Sequence, residues 1–330
     1  MGALLPLDGV SRRRIVNLGV ASFLFPMAFA RAQSFPPNAP TNPASPPDDA
    51  SRIAAGKDAA SHLTIEVAIN GRGPFRFVID TGADRSVIAE DVAGMLGLLH
   101  DRQVMVEGVV RTIPARTVRL EKLSFGPVTR NNLDVPMLPR VLLGADGYLG
   151  LDAVDGYRVT FDFKNHELEI AQPRHQQLIG WNPPSEALVR VNGHDGHLRS
   201  VDCRADGVRT TAFIDTGAEV SVGNAKLFEA LMNISPSYLK TETVPLTGIT
   251  GGVVQGNITT INRIHLNALV LDGCNIVIAD LQIFRLWGLS DTPSLLIGMN
   301  FLRQFAQFSI DYGRKELRFE LARLVIAQRS

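Results

Sequence analysis

From Leu63 the chain alternates with period two. Leu63, Ile65, Val67 and Ile69 fall on one face, with polar or small residues between them. That period marks a half-buried strand. Asn70-Gly71 supplies a hairpin turn, after which Phe75, Phe77 and Ile79 resume the alternation and run straight into Asp80. Val104–Val110 reads as the rising arm of a second hairpin. Tyr157–Phe163 and Glu167–Ile170, either side of a Lys-Asn-His turn, read as a closing one. The pattern predicts a mainly β chain with few helices.

The same order of elements then repeats. Leu188–Val191 precedes a polar loop, Ser200–Arg204 leads to the turn Asp206-Gly207, and the next strand runs into Asp215. A helical stretch, Lys226–Leu231, follows. Phe308–Tyr312 with Lys315–Phe319 repeats the closing hairpin. Phe77-Val78-Ile79-Asp80-Thr81-Gly82-Ala83 recurs 135 positions later as Ala212-Phe213-Ile214-Asp215-Thr216-Gly217-Ala218. This is the duplication of a whole lobe, with a first lobe over 61–172, an interlobe connection over 173–187 and a second lobe over 188–322.

Each copy is an apolar run ending in Asp-Thr-Gly-Ala, with a serine three residues on (Ser86, Ser221). An ionised carboxylate beside a buried strand is costly unless something pairs with it. Two such strands identify the partner as the other aspartate. Two carboxyls sharing one proton titrate as a unit, one pKa low and one raised. The ionised member can take a proton from water while the protonated one donates to a carbonyl. Gly82 and Gly217 allow the sharp turn that brings backbone N–H groups to each carboxylate. Ala83 and Ala218 have no hydroxyl to donate, so the pair is expected to work at a less acidic pH than one followed by serine or threonine.

The duplicated hydrophobic-Asp-Thr-Gly-Ala motif resembles the active site of the retropepsin-like aspartic peptidases, in a single-chain, two-lobed form similar to bacterial periplasmic members. The resemblance covers roughly residues 61–322. It implies two retropepsin-like (acid protease) β-barrel lobes in tandem, with Asp80 and Asp215 as the catalytic pair and Thr81 and Thr216 bracing the two turns. Gly147–Asp152 and Ser294–Asn300 resemble the family's hydrophobic-Gly element, which threads beside the aspartate turn. Asp146 and Asp152 read as turn or helix-cap residues. The family's substrate-covering flap falls at Val104–Val110 in the first lobe, where the expected tip of Arg111, Thr112, Ile113 and Pro114 lacks a Gly-Gly pair. In the second lobe Gly248, Ile249, Thr250, Gly251 and Gly252 fit a flap better. The implied activity is that of an aspartic endopeptidase needing no cofactor or metal. A non-catalytic peptide-binding protein on the same scaffold is the alternative.

At 330 residues the chain accommodates two domains, and 33 basic against 33 acidic residues give no electrostatic footprint for nucleic acid. Ser11-Arg12-Arg13-Arg14-Ile15, an apolar stretch from Val16 to Phe29 and Ala30-Arg31-Ala32 predict a signal peptide over 1–32, with a pattern resembling a twin-arginine signal. The mature chain is then expected in the periplasm or secreted, off the membrane, monomeric, and acting on protein or peptide. Proline-rich residues 33–60 are expected as a disordered linker. Cys203 and Cys274 allow one disulfide in an oxidising compartment or two free thiols. His194 and His197 read as a surface loop rather than metal ligands. An insertion at Leu281–Thr292, carrying Phe284 and Trp287, lines the cleft, meets a partner or packs on its own lobe.

Overall fold

The alternation at Leu63–Ile69 becomes a strand whose Leu63, Ile65, Val67 and Ile69 are all buried. It pairs antiparallel with Arg72–Ile79, Ile65 opposite Phe77 and Val67 opposite Phe75. The turn between them has Asn70 at φ 50° and Gly71 at φ 76°. Two consecutive positive φ values match the right-handed twist of the flanking strands, and Asn-Gly is the dipeptide that tolerates them. Asp206 (φ 44°) and Gly207 (φ 85°) make the same turn in the second lobe, between His197–Ala205 and Val208–Ile214. The computed structural model describes residues 63–172, 197–238, 242–267 and 269–320, with short strands at 15–16, 50–54, 56–57, 186–190 and 192–194.

Each lobe rolls one sheet into a barrel. In the first, His100–Glu107, Thr112–Phe125 and Val128–Leu138 form a meander. Thr112–Phe125 also pairs with the first strand, Ile69 opposite Leu123, and so closes the sheet. In the second, Thr243–Thr247, Val253–Leu266 and Leu269–Ile278 form the matching meander, and Ala205 opposite Ile264 closes it. Inward residues such as Val118, Leu120, Leu123 and Phe125 fill the first barrel, while Ile261, Ile264, Leu266 and Ile276 help fill the second. The longest helix, Ala225–Ile234, starts at Asn224, whose side chain accepts from the Leu227 N–H at 2.9 Å, and buries Leu227 and Leu231 against the lobe. Among the described residues no helix is long and apolar enough to cross a membrane.

A third sheet of six strands joins the lobes. Its order is Glu186–Arg190, Glu316–Glu320, Gln307–Asp311, Arg158–Asp162, Glu167–Ala171 and Ala50–Ala54. The two closing hairpins meet at its centre, with Phe161 opposite Phe308 and their rings stacked at 5.0 Å. Each lobe also lends the strand that opens it, Ala50–Ala54 or Glu186–Arg190, to the outer edge of its own hairpin. The sheet is therefore close to two-fold symmetric, and it fixes the two aspartate strands relative to each other.

Two boundaries differ from the sequence expectation. Ala50–Ala54 and Gly56-Lys57, inside the expected linker over 33–60, are paired strands. Residues 186 and 187, assigned to the interlobe connection, already belong to Glu186–Arg190. In both cases a short segment supplies edge hydrogen bonds to a hairpin far away in sequence, which local composition does not reveal. The expected signal peptide lies outside the described residues apart from Ile15–Val16, which pairs parallel with Val106-Glu107. The rest of the linker, 173–185 and 321–322 also lie outside them. Cys203 and Cys274 are free and buried. Cys203 pairs with Leu266 on one side of Val253–Leu266, whereas Cys274 pairs with Ile261 on the other. A five-residue offset at about 3.3 Å per residue puts them beyond the roughly 7 Å Cα separation a disulfide tolerates.

Candidate active site

The strand Gly147–Leu149 threads between the two strands that flank the first Asp-Thr-Gly turn. It runs parallel to Arg72–Ile79, with Leu149 beside Ile79, and antiparallel to Val87–Ala89. Ser294–Ile297 does the same beside Val208–Ile214 and Val222-Gly223. The turn is clamped from this strand. Asp80 N–H donates to Leu149 C=O at 2.9 Å, and Leu151 N–H donates to Ala83 C=O at 2.8 Å. In the second lobe Asp215 N–H meets Ile297 C=O at 2.9 Å and Met299 N–H meets Ala218 C=O at 2.8 Å. Such close approach requires a residue without a side chain. A Cβ on Gly150 would sit 2.5 Å from the Arg85 carbonyl carbon, and one on Gly298 would sit 2.7 Å from the Ala218 oxygen.

These clamps bring Asp80 and Asp215 together at the lobe junction. Both are fully buried. Gly82 N–H donates to Asp80 Oδ1 at 2.9 Å, and Gly217 and Ala218 N–H donate to Asp215 Oδ1 at 2.8 and 3.1 Å. The Asp80 carboxylate lies so close over the opposite turn that a Cβ on Gly217 would be 2.5 Å from its Cγ. The second oxygen of each aspartate, Oδ2, is buried with no donor from the rest of the protein, while the two carboxyls lie close enough to hydrogen-bond to each other through a shared proton. Burial raises the pKa of both carboxyls. Repulsion from Asp215 raises Asp80 further, and the turn N–H groups offset only part of this. The pair therefore holds a proton well above the usual carboxylate range.

Thr81 and Thr216 link the two turns. Each hydroxyl donates to the carbonyl just before the opposite aspartate: Thr81 to Ile214 at 2.9 Å, Thr216 to Ile79 at 2.7 Å. Each also accepts from the other threonine's N–H, at 3.0 and 3.1 Å. Behind each turn the motif serine is used the same way. Ser86 donates through N–H and hydroxyl to Asp152 Oδ1 at 2.8 and 2.7 Å, and accepts from Gly150 N–H at 3.1 Å. Ser221 makes the same three bonds with Asn300 Oδ1 and Gly298 N–H, at 2.9, 2.7 and 2.9 Å. Asp152 thus supports the turn rather than merely capping a helix, and burial raises its pKa. The sequence carried a signal for the partnership: Gly150 and Gly298 precede Asp152 and Asn300 by the same two residues.

A hairpin tip from each lobe meets the other across the lobe junction. The second-lobe tip, Gly248–Gly252, lies where the glycines were expected, closed by Gly251 N–H to Gly248 C=O at 2.8 Å, with Ile249 and Thr250 buried. The first-lobe tip is Gly108 to Arg111, closed by Gly108 N–H to Arg111 C=O at 3.0 Å. It is not Arg111–Pro114, because Thr112, Ile113 and Pro114 already pair with Glu107, Val106 and Met105. The tips bond to each other. Arg111 Nε donates to Thr250 C=O at 2.8 Å, and Thr250 Oγ1 donates to Arg111 C=O at 2.8 Å. The insertion also reaches the first-lobe tip, through Ile283 N–H to Val109 C=O at 3.3 Å and Gln282 Nε2 to Thr112 Oγ1 at 2.6 Å. Within its own lobe it buries Phe284 and stacks Trp287 on Phe213, centroids 4.5 Å apart. A cavity of 460 Å³ opens between the lobes, beside Leu151, Asp152, Leu198 and Tyr312.

Two barrel lobes, each presenting an Asp-Thr-Gly turn and a hairpin tip to the other, define a duplicated retropepsin-like protein. The sequence profile described as aspartyl protease matches residues 65–153 and again 201–301. The chain belongs to the aspartyl protease family. It is 31% identical over 114 residues to the Gag-Pol polyprotein of woolly monkey sarcoma virus, covering 32% of this chain and 6% of that relative. The Gag-Pol polyprotein of gibbon ape leukemia virus is 32% identical over 93 residues, covering 28% of this chain and 5% of the relative. The chain thus spans only a small part of the length of the curated relatives it matches.

Proposed function

We propose that the chain is an exported aspartic endopeptidase in which Asp80 and Asp215 jointly activate water. The observation that carries this reading is the pair of buried carboxylates. Each is anchored through one oxygen and has a second oxygen with no donor from the rest of the protein. Buried acceptors without donors are costly, and a bound water or shared proton satisfies both. The ionised carboxylate takes a proton from that water as its oxygen attacks the scissile carbonyl carbon. The protonated carboxyl donates its proton to the carbonyl oxygen. Collapse of the tetrahedral intermediate breaks the C–N bond, and a proton passes to the leaving nitrogen. Thr81, Gly82, Ala83, Thr216, Gly217 and Ala218 hold the two carboxyls in place, and Gly248–Gly252 covers an extended substrate whose backbone pairs with the hairpin strands. Both aspartates come from one chain, which supports a monomer. The basic and apolar N-terminal segment supports export to the periplasm or beyond.

The bonded hairpin tips keep a peptide-binding protein without turnover as the second reading. Casein cleavage by the mature chain from about pH 3.5 to 7.5, beside Asp80→Asn and Asp215→Asn, separates the two. The endopeptidase reading expects activity that falls at least about a thousandfold in both variants. Binding of casein peptides without cleavage at any pH would leave only the second reading.

A further inference from the structure

Phe213 lies on Val208–Ile214, two residues before Asp215, which follows directly after the strand's end and is held in line with it by its N–H bond to Ile297 C=O, so the two residues stand about 7 Å apart along the chain. Phe213 joins Ala218 of the aspartate turn and Val109 of the first-lobe tip in one apolar cluster. Arg199 pairs directly opposite Phe213 across the sheet. Its guanidinium lies 6.0 Å from the Phe213 ring centroid, and Trp287 stacks on the same ring at 4.5 Å. Arg199 is half-buried, and its Nε is buried with no acceptor. No carboxylate among the described residues forms an ion pair with it. A guanidinium within cation–π reach of an aromatic ring, with a buried N–H that has no acceptor, is ready to receive a carboxylate.

We propose that Arg199 is a specificity residue of the cleft, selecting peptides with an acidic side chain one or two positions from the scissile bond. The proposal rests on the endopeptidase reading. In an extended substrate over the aspartates, a side chain displaced by one strand repeat falls beside Trp287, the half-buried ring that covers the buried Phe213. Its apolar stem packs on the indole while its carboxylate reaches Arg199. Glutamate fits this division better than a shorter or neutral residue.

The test uses internally quenched peptides with a common cleavable core, carrying Glu, Gln or Lys at each of three positions either side of the bond. With the wild type, Glu is expected to exceed Gln at one position by at least about tenfold in kcat/KM, mainly through KM. The Glu-to-Gln ratio falls to about one in Arg199→Gln, is partly kept in Arg199→Lys, and gives way to a Lys preference in Arg199→Glu. Where the Glu preference is present, in the wild type and in part in Arg199→Lys, the ratio also declines below about pH 4, where the peptide carboxyl protonates. No acidic preference at any position, or one that survives in Arg199→Gln, overturns the proposal. Anisotropy binding of the same peptides to Asp80→Asn separates it from the endopeptidase reading. An Arg199-dependent Glu preference in binding without wild-type cleavage sinks the endopeptidase reading and leaves Arg199 as the selector of acidic side chains in bound peptides, with no scissile bond to count from. Equal binding of Glu and Gln peptides sinks this one.

Discussion

The Thr81 hydroxyl accepts from the Thr216 N–H at 3.0 Å, and the Thr216 hydroxyl accepts from the Thr81 N–H at 3.1 Å. Each hydroxyl then passes its own proton to the carbonyl that precedes the other lobe's aspartate. Neither lobe can hold its Asp-Thr-Gly turn in this geometry without the other. Thr81→Val keeps the shape but leaves two buried backbone groups unpaired. At about 1–3 kcal/mol each, the expected cost is about 2–5 kcal/mol by urea unfolding. Thr81→Ser is expected to recover most of it. Thr81→Val with Thr216→Val should cost less than the two singles summed, because both belong to one network.

The aspartate pair should make the chain less stable as pH rises. Burial raises both carboxyl pKa values in the folded state, so between the unfolded value near 4 and the folded value the native chain holds more protons than the unfolded one. Stability then falls with rising pH, by up to about 1.4 kcal/mol per unit for each such proton. Below the unfolded value the cost disappears. Asp215→Asn cannot lose a proton at this position and also relieves Asp80 of its neighbour's charge. Its melting temperature is expected to exceed the wild type's at pH 7 and to converge with it near pH 4. A constant difference across that range would mean the pair does not carry the linkage.

Asp152 and Asn300 occupy matching places behind the two turns, so the second lobe already shows that an amide fits. Asp152→Asn keeps the oxygen that accepts both Ser86 bonds and removes a carboxylate whose charged form burial disfavours. It should be at least as stable as the wild type at pH 7, with the advantage shrinking towards pH 4. Asp152→Leu strands the Ser86 N–H and hydroxyl and should cost about 2–5 kcal/mol. Thermal melts of the two variants at both pH values check this.

The duplication, the strand order within each lobe and the two aspartate turns were legible because each is written locally. Period-two alternation marks a strand, Asn-Gly and Asp-Gly mark its turn, and an aspartate closing an apolar run needs a partner. What escaped depends on distant pairs. Ala50–Ala54 has no strand pattern of its own and is ordered by hydrogen bonds to Glu167–Ala171. The first-lobe tip lies three residues before the expected Arg111–Pro114, because Thr112, Ile113 and Pro114 sit in a strand, Pro114 opposite Met105. Arg199 carried no motif at all. Its position matters only because the strand register sets it against Phe213.

The two hairpin tips are not held equally. Both aspartates are fully buried, so under the endopeptidase reading some part of the chain must move to admit a substrate, and the two tips are the proposed part. The first-lobe tip is bonded to the insertion at Val109 and Thr112 as well as to Thr250. Among the described residues the second-lobe tip is bonded across the lobes only through Thr250 to Arg111. The second hairpin is thus the one with fewer restraints, and removing the Arg111 Nε bond should loosen it, leaving only the Thr250 Oγ1 bond to the Arg111 carbonyl across the tips. In Arg111→Ala, amide hydrogen exchange over 248–252 is expected to quicken several-fold, with global stability within about 1 kcal/mol of the wild type. Residues 108–112 should respond less, because the insertion still holds them, and should loosen only when Gln282→Ala is added. Faster exchange at 108–112 with 248–252 unchanged in Arg111→Ala would assign the moving part to the first lobe instead.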